Sequence, residues 1–148
     1  MTNQPSAVLF TCTQNAIRSP MAEGLLKRLS PQGIYVDSVG VRTLDTEADP
    51  FAVEVMAELG IDISHHHPKT FAQLDDSSFD LVISLSPEAQ HRAVEMVRTM
   101  ACEVEYWQTL DPTIYEGPRD VMLDAYRRVR DGLAERIRKR FGLGLPAR

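Results

Sequence analysis

The amino-acid sequence predicts an α/β fold, with α-helices on both faces of a parallel β-sheet. Short apolar runs rich in β-branched residues alternate with longer segments in which apolar residues recur every three or four positions. This alternation favours parallel strands joined by right-handed helical crossovers. The length of 148 residues suits one domain with a sizeable core. We therefore expect a single three-layer α/β/α domain over residues 1–148, built on four parallel strands.

The first predicted unit is a strand, a tight loop and a helix. The apolar run Val8–Phe10 is typical of a buried strand. After a polar turn, Ser19 suits a helix cap, and Pro20 suits the first helical position, where its missing N–H is not needed. Apolar residues at three- and four-residue spacing then predict one buried helix face. These residues are Met21, Ala22, Leu25, Leu26 and Leu29.

Three more strand and helix units are predicted after the first. The strands are expected at residues 34–38, 79–84 and 103–107, where aromatic and β-branched residues are concentrated. The second helix is predicted to begin at Asp49 and Pro50, the third at Pro87, and the fourth to cover residues 119–140. The side chains expected to face inward include Val53, Val55, Met56 and Ala57 of the second helix and Val121, Leu123, Tyr126, Val129, Leu133 and Ile137 of the fourth.

The loop after strand 1 is predicted to lie where ligands bind in such sheets. Strand 1 is expected to be central, and ligands bind outside the carboxyl ends of the strands where successive crossovers run in opposite directions. Backbone N–H groups in a tight loop and at a helix N-terminus attract anions. Asn15 suits a positive φ, and its amide can brace the loop from within. The candidate oxyanion-binding residues are Thr13, Gln14, Asn15, Ala16, Ile17 and Arg18.

Cys12 and Arg18 frame this loop and indicate its chemistry. Cys12 ends the strand beside an electropositive cradle, which favours the nucleophilic thiolate. Arg18 carries a planar guanidinium that can hold two oxygens of a tetrahedral oxyanion. A nucleophile beside such a cradle implies a covalent phosphoryl-enzyme or arsenyl-enzyme intermediate. The alternative is a buried structural cysteine and a surface arginine, which leaves the strand before the loop and the helix after it unexplained.

The segment from Cys12 to Glu23, with the pattern Cys-x5-Arg-Ser-Pro-Met-Ala-Glu, resembles the low-molecular-weight protein-tyrosine phosphatases. It is similar also to the arsenate reductases built on the same fold. Further likenesses to the family are Ser38-Val39-Gly40, Asp49-Pro50, residues 60–69 and Asp111-Pro112. The resemblance covers nearly the whole chain. It implies the strand order 2-1-3-4, with a phosphate-binding loop after strand 1.

The resemblance implies roles for individual residues. Cys12 corresponds to the nucleophile and Arg18 to the group that stabilises the transferred phosphoryl. Asp111 corresponds to the acid that protonates the leaving oxygen and later activates water. Its place after strand 4, at the same sheet edge as the loop, agrees with that role. The residues expected to support the loop are Ser19, which can hydrogen-bond the thiolate, Ser38 and His66.

These roles predict a phosphomonoester hydrolase that works through a cysteinyl-phosphate intermediate, and specifically a protein-tyrosine phosphatase. Its partners are then phosphotyrosine-containing proteins or small phosphomonoesters. The net charge of -5 argues against general nucleic-acid binding. No apolar run reaches the length of a membrane span, and no membrane partner is expected. A catalytic thiol needs a reducing compartment, so the cytoplasm is the expected location.

No cofactor and no metal is expected. His65, His66 and His67 are consecutive, and adjacent side chains diverge in any regular backbone, so the three cannot easily converge on one ion. We expect His66 to be structural and the other two to lie on the surface.

Two departures from the family pattern concern the substrate and the nucleophile. Ile17 stands where many members carry a second cysteine that protects the nucleophile as a disulfide. Thr113 and Ile114 stand where tyrosines line the phenol pocket, with Tyr115 next. The first departure leaves Cys12 without a disulfide partner in its own loop, and the second puts phosphotyrosine specificity in question.

A third departure concerns the reductase alternative. The thioredoxin-coupled arsenate reductases use two further cysteines starting just after strand 3, where this chain has Ser84 and Ser86. Cys102, the chain's second cysteine, is expected to pack as a small buried hydrophobe. An arsenate reductase that uses an external thiol needs only Cys12 and is the first alternative function. A non-catalytic phosphopeptide-binding module on the same scaffold is the second.

Overall fold

Four parallel strands form one sheet at the centre of the molecule. The computed structural model describes residues 4–30, 33–74, 78–98 and 101–143. The strands are β1 at Ala7–Cys12, β2 at Tyr35–Gly40, β3 at Leu81–Ser84 and β4 at Glu103–Tyr106. They lie in the order β2-β1-β3-β4, and every pair is parallel. The predicted α/β class and strand order are therefore confirmed.

Four α-helices connect and cover the strands: α1 is Arg18–Leu29, α2 is Pro50–Ala57, α3 is Pro87–Val97 and α4 is Arg119–Arg140. α1, α2 and α4 pack together on one face of the sheet, while α3 packs on the other. The side chains of β1 alternate between the two layers: Val8 and Phe10 face the three helices, and Leu9 faces α3. Within the described ranges, none of the helices is long and apolar enough to cross a membrane.

The sheet topology places the ends of three strands around one point. The crossover from β1 to β2 runs toward one edge of the sheet, and the crossover from β2 to β3 returns across β1. Such a reversal opens a crevice at the carboxyl ends of the strands. The loops after β1, β3 and β4 all start at this edge. The expected central position of β1 is confirmed.

The expectation that Ser19 caps α1 is wrong. The helix begins at Arg18, and its N-cap position is Ile17, whose apolar side chain cannot accept a hydrogen bond. Helical bonding has begun at this point, because the N–H of Met21 donates to the carbonyl of Ile17 at 3.1 Å. Ser19 is fully buried inside the first turn, with its hydroxyl toward Cys12.

Two residues expected in the core lie at the surface. Ala57, the last residue of α2, is exposed, whereas Val55 in the same helix is fully buried. Val121 is also exposed, because the buried stripe of α4 begins only at Leu123. Both errors fall in a terminal turn of a helix, where the apolar periodicity of the sequence extends beyond the part of the helix that packs against the core.

Candidate active site

The thiol of Cys12 lies at the base of the loop that follows β1. Cys12 is only 2% exposed. Its Sγ accepts a hydrogen bond from the backbone N–H of Asn15 at 3.3 Å and lies 2.9 Å from the hydroxyl of Ser19. Asn15 also donates to that same hydroxyl, which leaves the hydroxyl proton free to point at sulfur. Both groups can donate a hydrogen bond to the sulfur when it acts as a nucleophile or as a leaving group.

Asn15 holds the loop from inside. It has φ of 58°, the left-handed conformation expected from the sequence, and it is fully buried. Its Nδ2 donates to the hydroxyls of Ser19 and Ser38 at 2.8 and 3.0 Å. Its Oδ1 accepts from the backbone N–H of Lys69 at 3.0 Å and lies 3.0 Å from Nε2 of His66. One side chain thus joins the loop to α1, to β2 and to the segment after α2.

His66 is the structural histidine of the three. Its Nε2 lies 3.0 Å from both the backbone carbonyl and the side-chain oxygen of Asn15; since both are acceptors, Nε2 carries the proton. Its Nδ1 lies 4.0 Å from Glu23, which also accepts from Ser38 at 2.6 Å. Burial lowers the pKa of His66, against an opposing effect of Glu23. His65 and His67 are exposed, as expected.

Gly40 lets β2 approach the loop more closely than another residue would allow. A Cβ at this position would stand 2.8 Å from the carbonyl carbon of Gln14 and 2.9 Å from the backbone nitrogen of Asn15. The next two residues continue the contact: Val41 N–H donates to Cys12 O at 3.2 Å, and Arg42 N–H donates to Thr13 O at 3.0 Å. In the sequence, Gly40 stands out only as part of a family resemblance, because its role depends on a contact between segments far apart in sequence.

Arg18 is tied to the segment that follows β4. Its Nη1 donates to the carbonyl of Thr109 at 3.0 Å. Thr109 is itself fixed, because its N–H donates to Leu85 O at 3.1 Å and its hydroxyl donates to Trp107 O at 2.8 Å. The guanidinium is thereby held beside the loop, and the sequence offered no sign of this carbonyl partner.

Asp111 and Cys12 line the same cavity, which has a volume of about 300 Å³. Its other lining residues include Arg18, Thr13, Gln14, Ala16 and Ile17 of the loop, together with Arg42, Glu88 and Thr113. Asp111 caps a short 3₁₀ helix at Pro112–Ile114 and accepts through Oδ1 from Thr113 N–H at 2.9 Å and the Thr113 hydroxyl at 2.7 Å. The other carboxylate oxygen, Oδ2, takes no part in these two bonds.

Arg42 and Glu88 form an ion pair at the rim of this cavity. Nη1 of Arg42 lies 2.9 Å from one carboxylate oxygen of Glu88, and Nη2 lies 3.3 Å from the other. Hydrogen bonding to Arg42 lowers the pKa of Glu88. The two residues are 46 positions apart, and neither was expected from the sequence to take part in the site.

Sequence comparison identifies the family. A family model described as low molecular weight phosphotyrosine protein phosphatase matches residues 7–142. The chain belongs to this family. It is 34% identical to a glutaredoxin arsenate reductase of Synechocystis sp. over 130 residues, which are 88% of this chain and 92% of the relative.

Solved structures of the family share the fold. A low molecular weight protein tyrosine phosphatase from T. tengcongensis superposes with a TM-score of 0.76 at 30% identity, covering 92% of this chain and 97% of the other. An arsenate reductase in the phosphate binding state superposes with a TM-score of 0.75 at 32% identity, covering 92% of this chain and 96% of the other. The family therefore contains relatives described as phosphatases and relatives described as arsenate reductases.

Cys102 directly precedes β4, at the amino-terminal end of the strands, whereas Cys12 lies at the carboxyl-terminal end of β1. Cys102 precedes Glu103, which is level with Val8 through the pairings of both residues with Leu81. Cys12 is therefore about five residues further along the strand direction, or about 16 Å, and two strands across, or about 10 Å. A disulfide needs Cα atoms within about 7 Å, so the two cysteines cannot pair in this fold. Cys102 is only partly buried, and burial raises the pKa of its thiol.

Tyr115 does not face the Cys12 cavity. It lines a separate cavity of about 390 Å³ beside α4, together with Val121 and Arg128. In the part of the chain that the structure describes, no group of three His, Cys, Asp or Glu side chains is arranged to hold a metal ion.

Proposed function

We propose that this member of the family is a phosphomonoester hydrolase that works through a cysteinyl-phosphate intermediate. The observation that carries the proposal is the position of Cys12, Arg18 and Asp111 on one cavity, beside a loop in which the N–H of Asn15 donates to the thiol. Together these groups provide a nucleophile, a cation for the oxyanion and a proton donor. Phosphoryl transfer to and from a thiolate requires all three.

In the first step, the thiolate of Cys12 attacks phosphorus. Arg18 and the loop N–H groups hold the non-bridging oxygens as negative charge builds on them. The bond to the leaving oxygen breaks, and Asp111 transfers its proton to that oxygen. The products are the free alcohol or phenol and phosphorylated Cys12.

In the second step, water attacks the phosphorylated cysteine. Asp111, now ionised, accepts a proton from the water, and the sulfur leaves as a thiolate. The hydroxyl of Ser19, 2.9 Å from Sγ, stabilises that departing thiolate. Inorganic phosphate is released, and the residues return to their starting protonation states.

The finer proposal is a protein-tyrosine phosphatase. Family membership and the relative from T. tengcongensis support phosphotyrosine-containing proteins as substrates, with small phosphomonoesters as simpler ones. A thiolate nucleophile works only while reduced, so the proposal includes a reducing location such as the cytoplasm.

Arsenate reduction is the second candidate, and the Synechocystis relative favours it. Arsenate has the shape and charge of phosphate, so the same loop can bind it. The separation of Cys12 and Cys102 excludes a relay between these two thiols in the folded chain. An external thiol must then attack the Cys12–arsenate adduct, which releases arsenite and leaves a mixed disulfide on Cys12. In that step the two sulfurs are oxidised and arsenic accepts two electrons.

One pair of assays separates the candidates. We expect the protein to hydrolyse p-nitrophenyl phosphate and the Cys12→Ser variant to lose that activity, because serine stays protonated where the thiol ionises. Arsenate reduction is measured on the same preparation, with a small thiol as the reductant. Reduction without p-nitrophenyl phosphate hydrolysis would replace the first proposal by the second.

The role of Asp111 is tested through the leaving group. Asp111→Asn is expected to slow hydrolysis of phenyl phosphate by about 10²–10⁴-fold, the usual contribution of a general acid. Hydrolysis of p-nitrophenyl phosphate should slow much less, since its phenolate departs without a proton. Equal losses of hydrolysis rate for both substrates would mean that Asp111 only caps its 3₁₀ helix and is not the general acid.

A further inference from the structure

The substrate cavity lacks the aromatic walls that a phenol ring would ordinarily contact. Among the described residues that line it, none is Phe, Tyr or Trp. Thr113 lines the cavity beside Asp111, and Tyr115 lines a different one. A phosphotyrosine ring leaving the loop therefore finds no aromatic side chain among these residues; the apolar ones are Ala16 and Ile17 of the loop, and Arg42 and Glu88 are a charged pair at the rim.

Arg42 and Glu88 are anchored from opposite sides of the cavity. Arg42 follows β2, and its backbone N–H is fixed to Thr13 O at 3.0 Å. Glu88 lies in the first turn of α3, where the helix dipole favours a carboxylate, after the cap Ser86. The side chains are each 52% exposed, whereas Cys12 is 2% exposed. The pair is thus much more exposed than the thiol and lines the outer part of the same cavity.

The contact between the two side chains holds the guanidinium of Arg42 in one orientation. Both terminal nitrogens contact the carboxylate, at 2.9 and 3.3 Å, so rotation about the end of the side chain is restricted. The pairing uses the Nη1–Nη2 edge, which lies in the plane of the group, and the side chain as a whole is 52% exposed. A planar guanidinium stacks on aromatic rings through cation–π attraction and dispersion.

We propose that Arg42, whose guanidinium is oriented by Glu88, forms the ring-binding wall of the substrate cavity and stacks on the aromatic ring of phosphotyrosine. The inference rests on the proposed function and deepens it, because it names the residue that replaces the missing aromatic wall. Arg42 is a specificity-determining residue in this account, and Glu88 positions it. An exposed ion pair contributes little to the stability of the fold, so variants at either position are expected to fold normally.

The test compares the binding of an aromatic and an aliphatic ligand that cannot be hydrolysed. Dissociation constants of benzylphosphonate and ethylphosphonate are measured by calorimetry, and their ratio reports the preference for a ring. In Arg42→Gln we expect that preference to fall by about 2- to 5-fold, the size of a half-exposed cation–π contact. Arg42→Tyr should keep most of the preference, because tyrosine restores a flat face. Glu88→Gln should lose part of it, because one bond to the guanidinium is weakened.

Lys139→Gln is the matched control. It removes one positive charge from an exposed side chain near the end of α4, outside the cavity, and should leave the ratio unchanged. Equal weakening of both ligands in Arg42→Gln would overturn the inference, because Arg42 would then act only as a cation that attracts the phosphonate. An unchanged ratio would overturn it as well, and normal p-nitrophenyl phosphate hydrolysis would then show that the proposed function survives. If neither ligand binds the unaltered protein, the proposed function fails and the inference fails with it.

Discussion

Asn15 holds the loop after β1 in place through its side chain. Its side chain makes four contacts of 2.8 to 3.0 Å: with Ser19, Ser38, Lys69 and His66. At about 1 kcal/mol for each buried hydrogen bond, removing the side chain should lower the free energy of unfolding by about 4 kcal/mol. This is a large fraction of the 5–15 kcal/mol that typical domains possess. Asn15→Ala should therefore remain folded only with a small margin.

Asn15→Gly is the control that separates the lost contacts from the backbone conformation. Both variants lose the four contacts, but glycine adopts the φ of 58° without steric cost, whereas alanine does not. After allowance for the greater freedom of glycine in the unfolded chain, Asn15→Ala should be less stable than Asn15→Gly by about 0.5–1 kcal/mol. Urea unfolding of the three proteins measures both differences.

The loop should lose its ligand as well as its stability. The N–H of Asn15 points at Sγ only in the left-handed conformation, so we expect inorganic phosphate to bind Asn15→Ala at least about tenfold more weakly, equivalent to about 1.4 kcal/mol. If Asn15→Ala unfolded within about 1 kcal/mol of the unaltered protein and bound phosphate equally well, the loop would be held by other contacts and the reasoning would be wrong.

Three further predictions concern the surroundings of the loop. Gly40→Ala should lower the free energy of unfolding by about 1–3 kcal/mol and weaken phosphate binding, because the new Cβ would lie 2.8 Å from the backbone of Gln14. Gly132→Ala on α4 is the control, since a Cβ there meets no atom within 4 Å, and it should change neither stability nor phosphate binding by a comparable amount. Thr11→Val should raise the free energy of unfolding by roughly 1 kcal/mol, because the buried Thr11 hydroxyl finds no hydrogen-bond partner among the described residues. Burial lowers the pKa of His66, so the unfolded chain binds a proton at this residue more readily than the folded protein does. The contribution of neutral His66 to the free energy of unfolding is therefore fully present above its ordinary pKa of about 6.5 and is lost as the pH falls. Urea unfolding at about pH 7.5 and pH 5 should show a larger decrease in the free energy of unfolding for the unaltered protein than for His66→Gln.

Features that depend on neighbours in the sequence could be predicted. Cys12, Asn15 and Arg18 belong to one strand–loop–helix unit, so their spacing alone places them around the loop. The alternation of strands and helices predicts the parallel sheet, and the central β1 follows from the same pattern. The positive φ of Asn15 was expected because few other residue types tolerate it.

Features that depend on contacts between distant segments could not be predicted. The Arg42–Glu88 pair joins the segment after β2 to the start of α3, and neither residue has a local pattern that marks it. The carbonyl of Thr109, which binds Arg18, is a backbone group that any residue type would supply. Ser19 was misassigned because serine is a common cap, and only the structure shows that its hydroxyl is used for Cys12 instead.

We propose that Cys12 takes up the phosphoryl group of bound phosphate and returns it to water. This proposal can be tested without knowing the physiological substrate, because reversal of the hydrolytic step transfers a phosphate oxygen to water. Inorganic phosphate labelled with heavy oxygen is incubated with the protein, and loss of the label is followed by phosphorus NMR. We expect steady exchange with the unaltered protein and none with Cys12→Ser. Exchange that persists in Cys12→Ser, or no exchange by the unaltered protein at saturating phosphate, would contradict the proposal.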